Sequence, residues 1–459
     1  MANPLSIFFD PVDADGDRVP ARYRFTGDQR WWMAPLGTGL LLLVAGLVLA
    51  LGDAPRLWFS YLIGWVFVLS VTLGALFFVM IQHITKAKWS TTIRRIAEVL
   101  AASFPLVGLL GLPILFGMHD LFHWSHADLY HAGEHFDPVL AGKAGYFFFP
   151  FEAGTFPFFF VFRYVAYFVA WTVIGTKLYT LSVRNDRQPD PATTLKLRWW
   201  SGFGIPIAAV TTAFASYDYL MSTDPHWFST MFGVYFFAGG WLGALCLITF
   251  IALLLRKAGM APEITVEHTQ DMGKFMFAFV VFWTYVAFSQ YMLYWYANIP
   301  EETIWFHKRF TGGWETVSWA LLLFNFVLPF LLLLPRATKR IAPALATMAV
   351  WLLVMHFIDL WWIAMPSMHA AVEGGHAALL SGGGDLLASL QVTAPEVAHE
   401  ATSGMAIHVV EPHLPLVEMA VWLGLFGIYL GVVMLRLGRH ALTPYGDPYF
   451  ADSLRFENV

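Results

Sequence analysis

Ten times between Leu36 and Leu437 the chain repeats one unit: an apolar run long enough to cross a bilayer, then a short polar break. The runs cover approximately residues 36–52, 57–82, 96–118, 156–181, 199–221, 227–255, 274–297, 316–334, 343–364 and 414–435. Each matches the ~20 residues that span a ~30 Å hydrocarbon core at 1.5 Å rise per residue. Only helices and closed barrels satisfy every backbone polar group in hydrocarbon, and a barrel would alternate apolar and polar positions over ~10-residue segments. These runs are apolar on all faces. The expected fold is therefore all-α, a polytopic integral membrane protein with ten transmembrane helices. A hydrophobic fraction of 58% against 13% charged residues, with a mean hydropathy of +0.59, lies outside the soluble globular range.

The polar breaks alternate in basicity. One set, from Arg18, Arg22, Arg24 and Arg30 through Arg436, Arg439 and Arg455, holds 21 Lys and Arg; the other holds only Arg56, Lys143, Lys308 and Arg309. By the positive-inside rule both termini are cytoplasmic, which requires an even helix count and fits ten. Three parts follow: a polar N-terminal segment over 1–32, ending in the belt aromatics Trp31 and Trp32; a membrane domain over 33–440; and a cytoplasmic tail over 441–459. Two outer loops are long, about 119–155 and 366–412, and the second contains no Lys or Arg. Gly382-Gly383-Gly384 in that loop lacks the Gly-Lys-Ser/Thr that a phosphate loop needs. No cleavable signal is expected, because acidic residues and a long polar stretch precede the first run. Cys246 is the single cysteine, which excludes a disulfide framework and a cluster ligated by this chain alone. No basic stripe points to nucleic acid.

Ionisable groups are costly in hydrocarbon, so each one inside a run is a candidate for function. Asp218 falls about one turn inside the outer boundary of the fifth run, ahead of Asp224-Pro225-His226-Trp227. Asp224 before Pro is a good helix-start signal and is expected to cap the sixth helix. In the ninth run His356 and Asp359 stand at i and i+3, on one helical face, where imidazole and carboxylate could share a proton. Structural ties between helices are the plainer account of the same pair. Arg163, two turns into the fourth run, is either a snorkelling cation or a counter-ion to Asp218 or Asp359. Towards the cytoplasm lie His83 and Glu98, and Glu98 stands four residues past Arg94, as a helix-surface ion pair would. Ser289 and Gln290 could extend a hydrogen-bonded chain in the seventh run, where Tyr294 to Tyr296 read as an aromatic belt.

The first outer loop carries His119, His123, His126, His131 and His135. Two pairs have the i, i+4 spacing of helical metal sites, but no His-Glu-x-x-His motif is present, and a partner-facing or proton-collecting surface is the better reading. An intramembrane haem b needs two facing His at similar depth; His83 and His356 fall in opposite halves. A secondary transporter is disfavoured, since matched pairs of Gly/Pro-interrupted helices are not evident.

Three strings carry a resemblance: Trp89-Ser90-x-x-Ile93-Arg94-Arg95-Ile96-Ala97-Glu98; Asp224-Pro225-His226-Trp227-Phe228-Ser229-Thr230-Met231-Phe232-Gly233-Val234-Tyr235; and Phe288-Ser289-Gln290-Tyr291 with Tyr294-Trp295-Tyr296-Ala297-Asn298-Ile299-Pro300-Glu301-Glu302-Thr303. In these the chain resembles the ActF-type membrane subunits of bacterial alternative complex III, a quinol:electron-acceptor oxidoreductase, within the NrfD/polysulfide-reductase membrane-subunit superfamily. The likeness covers nearly the whole chain. It implies two four-helix bundles plus flanking helices in the bacterial cytoplasmic membrane. It also implies no haem or cluster in this chain, with quinone the one cofactor left open to it. The implied partners are a paralogous NrfD-like membrane subunit, an iron–sulfur subunit, c-type cytochrome subunits and smaller membrane subunits, the first of these usually given the quinol site. The role left for this chain is proton movement, with Asp218, Arg163, His356, Asp359, Ser289, Gln290, His83 and Glu98 as its residues. Direct quinol oxidation and a purely structural anchor remain the alternatives.

Overall fold

The computed structural model describes residue 8 and residues 10–14, 19–133, 135–368 and 411–458. Most of the second long outer loop, with Gly382 to Gly384, and Arg18 lie outside the described residues. All ten apolar runs are helical: α1 (Met33–Leu49), α2 (Ala54–Ile84), α3 (Thr91–Phe116), α4 (Phe158–Arg187), α5 (Pro191–Tyr219), α6 (Phe232–Lys257), α7 (Val266–Ala297), α8 (Trp314–Leu333), α9 (Ala342–Ser367) and α10 (Leu416–Arg439). Eight of them are long and apolar enough to span a bilayer. The other two differ for separate reasons. Helix α1 has only 17 residues. Helix α5 has 29, but Trp199, Trp200, Ser201, Pro206, Thr211 and Thr212 dilute its apolar stretch. Among the described residues there is no strand.

Local chemistry sets where the helices start and stop. The Asp53 carboxylate accepts from Arg56 N–H at 3.1 Å ahead of Pro55, and Asp190 accepts from Ala192 N–H at 2.9 Å ahead of Pro191. Thr265 and His268 form a reciprocal capping box on α7, which ends at Asn298 in the left-handed region (φ 48°) before Pro300 opens the next helix. Within α8, residues Leu322–Val327 form a π-turn. Pro329 lacks the N–H that would engage the carbonyls of Phe324 and Asn325, and Phe324 O instead accepts from Trp351 Nε1 at 2.8 Å.

Helix α2 is the hub. Every residue from Phe59 to Met80 is buried, so α2 touches protein on all sides. It packs in one ring with α3, α4 and α5, while α6, α7, α8 and α9 form a second ring. The rings meet where α2 crosses α6: a Cβ added to Gly74 would fall on the Gly240 carbonyl, and one on Gly240 would sit 2.6 Å from Ser70 O. Small residues permit this backbone approach, which in lipid replaces the hydrophobic drive for helix association. Helices α1 and α10 pair at the edge through Gly39, Gly424 and Gly427, and α10 also packs on α2. Leu41, Phe162, Trp319 and Leu331 are exposed on the perimeter, as a lipid-facing rim requires.

Candidate functional site

Two clusters of buried polar groups lie near the end of the molecule that bears Arg56, Lys143, Lys308 and Arg309. In the first ring Asp218 on α5 accepts two bonds from the Arg163 guanidinium on α4, at 2.9 and 2.7 Å, and a third from Tyr167 at 2.9 Å. Arg163 spends its third contact on the Tyr146 carbonyl at 2.5 Å and lies over the Tyr146 ring. Arg163 is thus the counter-ion of Asp218, and the snorkelling alternative does not hold, since its charged head points into the bundle. The fork geometry matches the bidentate Arg–carboxylate pairing that holds buried charges in place.

In the second ring Asp359 on α9 receives the Tyr235 hydroxyl on one oxygen and Trp283 Nε1 at 3.3 Å on the other. Tyr235 comes from α6 and Trp283 from α7, so one carboxyl joins three helices. Among the described residues no cation pairs with it. His356, one turn earlier, does not share a proton with Asp359, contrary to the i, i+3 expectation. Its Nε2 bonds the Ser70 hydroxyl on α2 at 2.8 Å. The cause is visible on α6: Gly239 and Gly243 leave a flat track, where an added Cβ would stand 2.9 Å from His356 Cε1 and 3.3 Å from Cδ2. The imidazole lies in that track and reaches across to Ser70. The glycine pattern Gly239-Gly240-x-x-Gly243 was the available signal for this site.

Neighbouring expectations change as well. Asp224 does not cap α6, which starts eight residues later at Phe232; it ion-pairs Lys308 at 2.7 Å, both groups buried. Lys308 and Arg309 stay together: Arg309 stacks on Trp305 at 3.4 Å and donates to the Trp362 and Ile363 carbonyls at the end of α9. Ser289 bonds the Tyr285 carbonyl of its own helix rather than extending a chain, and Gln290 is buried nearby. Tyr294 donates to Phe228 O at 2.9 Å, so this part of the belt also fixes a loop.

Above the first cluster lies a cavity of about 460 Å³, lined by Lys143, Tyr146, Phe147, Phe214, Tyr217 and Trp227 among others. Lys143 donates to Pro225 O at 2.7 Å. In the adjoining loop His226 bonds Asp137 at 2.5 Å. Burial opposes the charged carboxylate, but the Leu140 N–H and His226 together hold Asp137 below the usual range. Burial, then the neighbouring His226 and His126, push His123 down to about 4. His119 bonds His126 at 2.8 Å rather than grouping with His123. Among the described residues no set of three or more His, Cys, Asp or Glu is placed to hold a metal ion.

At the opposite, Lys/Arg-rich end, Glu98 does pair with Arg94 at 3.1 Å, as the spacing foretold, but the pair is buried and part of a larger network. Arg95 reaches Glu98 at 3.5 Å and also Asp186 on α4, while Arg94 continues to Asp447 in the C-terminal tail. His83 lies beside this network at the end of α2. His83 and Ser70 are 13 positions apart on α2, hence about 20 Å along the axis; a haem cannot bridge His83 and His356.

No family model and no curated protein matches this chain.

Proposed function

We propose that this chain is the proton-handling membrane subunit of a respiratory quinol:electron-acceptor oxidoreductase of the alternative complex III type. The observation that carries the reading is the environment of Asp359: a carboxyl enclosed at the meeting point of three helices and held by neutral donors. A buried acid paired to a cation is fixed in charge by its partner. A buried acid facing only a phenol and an indole can gain and lose a proton without stranding a buried cation. One turn away on α9, His356 and Ser70 form a separate polar contact that reaches the hub helix. The Asp218–Arg163 fork has the opposite character and acts as an electrostatic tie that holds the first ring around the route.

In this reading both termini are cytoplasmic and all ten helices cross the membrane, so Asp359 and His356 lie in the outer half and His83 in the inner. Between them α2 offers Thr72, bonded to Tyr429 at 3.1 Å, among apolar side chains. The partners are a paralogous NrfD-like subunit, an iron–sulfur subunit and c-type cytochromes, which carry the electron-transfer groups.

A second reading, direct quinol binding in this chain, is favoured by one feature. The cavity of about 460 Å³ is apolar, aromatic and adjacent to Tyr146, and falls in the ~300–1,000 Å³ range of ligand sites. The test is Asp359→Asn in the assembled complex, with quinol oxidation and proton release measured in vesicles. Loss of proton release with retained assembly supports proton handling. Normal turnover with normal proton stoichiometry removes it; the second reading is supported instead if a cavity-filling change such as Tyr217→Trp abolishes quinone binding with assembly intact.

A further inference from the structure

At the Lys/Arg-rich end three buried polar atoms have no hydrogen-bond partner: Gln82 Oε1, His83 Nε2 and Thr194 Oγ1. Their side chains are each more than nine-tenths buried. A buried polar atom left unsatisfied costs roughly 1–3 kcal/mol, so three on adjoining positions of two helices call for a shared explanation. All three residues line a single cleft of about 10 Å³. That is the room needed by one water molecule, and three polar partners is the usual complement of a buried water.

We propose that this cleft is a single-water site and the cytoplasmic entry to the proton route, with His83 as the first group to take the proton. The proposal rests on the proton-handling reading above. Gln82 Oε1 accepts one hydrogen of the water. The Thr194 hydroxyl and the water oxygen bond each other, and the second hydrogen points at His83 Nε2 in the tautomer that carries its proton on Nδ1. When a proton arrives, the water is transiently hydronium. One O–H bond breaks, an N–H bond forms at Nε2, and neutral water and imidazolium remain. The charged groups around the cleft are Lys86 in the turn after α2, Arg94 on α3, Arg198 on α5 and Asp447 in the tail. Asp447 and Glu98 bond Arg94 and offset its charge in part; Arg94 and Arg198 still act on the buried His83, so the imidazolium is short-lived and hands its proton on.

The C-terminal tail is the wall that makes the cleft a one-water site. Gly446 is clamped between Asn185, which donates to its carbonyl at 2.8 Å, and Asp186, which accepts its N–H at 2.9 Å. Tyr449 takes a bond from Arg198. Ser453 donates to the Trp89 carbonyl at 2.8 Å, and Asn458 to the Glu267 carbonyl at 2.9 Å. The tail is thereby stitched to α4, α5, α7 and the turn before α3, and with the Arg94–Asp447 pair positions Asp447 and Tyr449 over His83.

The experiment uses the assembled complex in nanodiscs and in vesicles. A density map fine enough to show ordered water is expected to place one peak within hydrogen-bonding distance of both His83 Nε2 and Thr194 Oγ1; an empty cleft in such a map overturns the site. His83→Gln keeps a hydrogen-bonding side chain but cannot take a second proton. It is expected to retain the water and to slow proton uptake from the cytoplasmic side by roughly tenfold or more. If His83→Gln moves protons normally while Asp359→Asn does not, the entry through His83 is wrong and the proton-handling reading stands. If neither substitution has an effect, the proton-handling reading itself falls.

Discussion

Replacing Arg163 should cost more than replacing the whole ion pair of which it is part. In the folded chain Arg163 gives two bonds to Asp218 and one to the Tyr146 carbonyl. Arg163→Met leaves a buried carboxylate holding only the Tyr167 hydroxyl among its present partners. Breaking a buried pair in this way costs about 3–5 kcal/mol, because the remaining charge keeps its desolvation penalty without its compensation. Asp218→Leu strands the guanidinium and should cost a similar amount. The double variant Arg163→Met/Asp218→Leu removes both charges and loses chiefly the bond to Tyr146 O, a deficit of about 1–2 kcal/mol. The two single effects are therefore strongly non-additive, with a coupling of several kcal/mol. Denaturant unfolding in detergent micelles, followed by tryptophan fluorescence, gives all four corners of the cycle. The first outer loop contains a helix, Pro138–Phe148, tied to Arg163 through Tyr146 O, and its hydrogen exchange should rise in both variants lacking Arg163. Single variants that are each near neutral, or whose effects simply add, would refute the electrostatic-tie reading of this pair.

Two further outcomes are expected. Gly239→Val should push a side chain into His356, where the first added carbon already stands 2.9 Å from Cε1, and break the bond to Ser70; an unchanged His356–Ser70 distance in a structure of the variant would contradict the account of the glycine track. Acidification should loosen the first outer loop. Burial pushes His123 from its ordinary value near 6.5 down to about 4 in the folded chain, so the unfolded chain takes up the proton first and stability is lost as pH falls from about 6.5 towards 4. That is about 3–4 kcal/mol at most, and exchange over 119–137 in His123→Phe should be less pH-dependent than in the parent.

Much of the architecture was legible because hydropathy is a local signal. Each of the ten apolar runs is helical, eight of them long and apolar enough to span a bilayer, and the i, i+4 spacing of Arg94 and Glu98 became an ion pair. What was not legible depends on partners far away in the chain. Asp224 looked like a cap because Pro225 follows it, but its true partner, Lys308, is 84 positions on, and the intervening turn delays the helix to Phe232. His356 and Asp359 share a face of α9, yet each is claimed by a different helix: Ser70 lies 286 positions from His356, and Tyr235 lies 124 from Asp359. Periodicity says which residues share a face and is silent on which of several neighbours each side chain meets. The glycines of α6 carried part of that information, because close helix approach decides where an imidazole can lie.

The central claim, that Asp359 exchanges a proton during turnover, is tested most directly by infrared difference spectroscopy of the assembled complex on reduction with a quinol. The account predicts a carboxylic-acid C=O band that appears or shifts on reduction, moves in deuterated water, and disappears in Asp359→Asn. A difference spectrum whose carboxyl region is the same in Asp359→Asn as in the parent would contradict it.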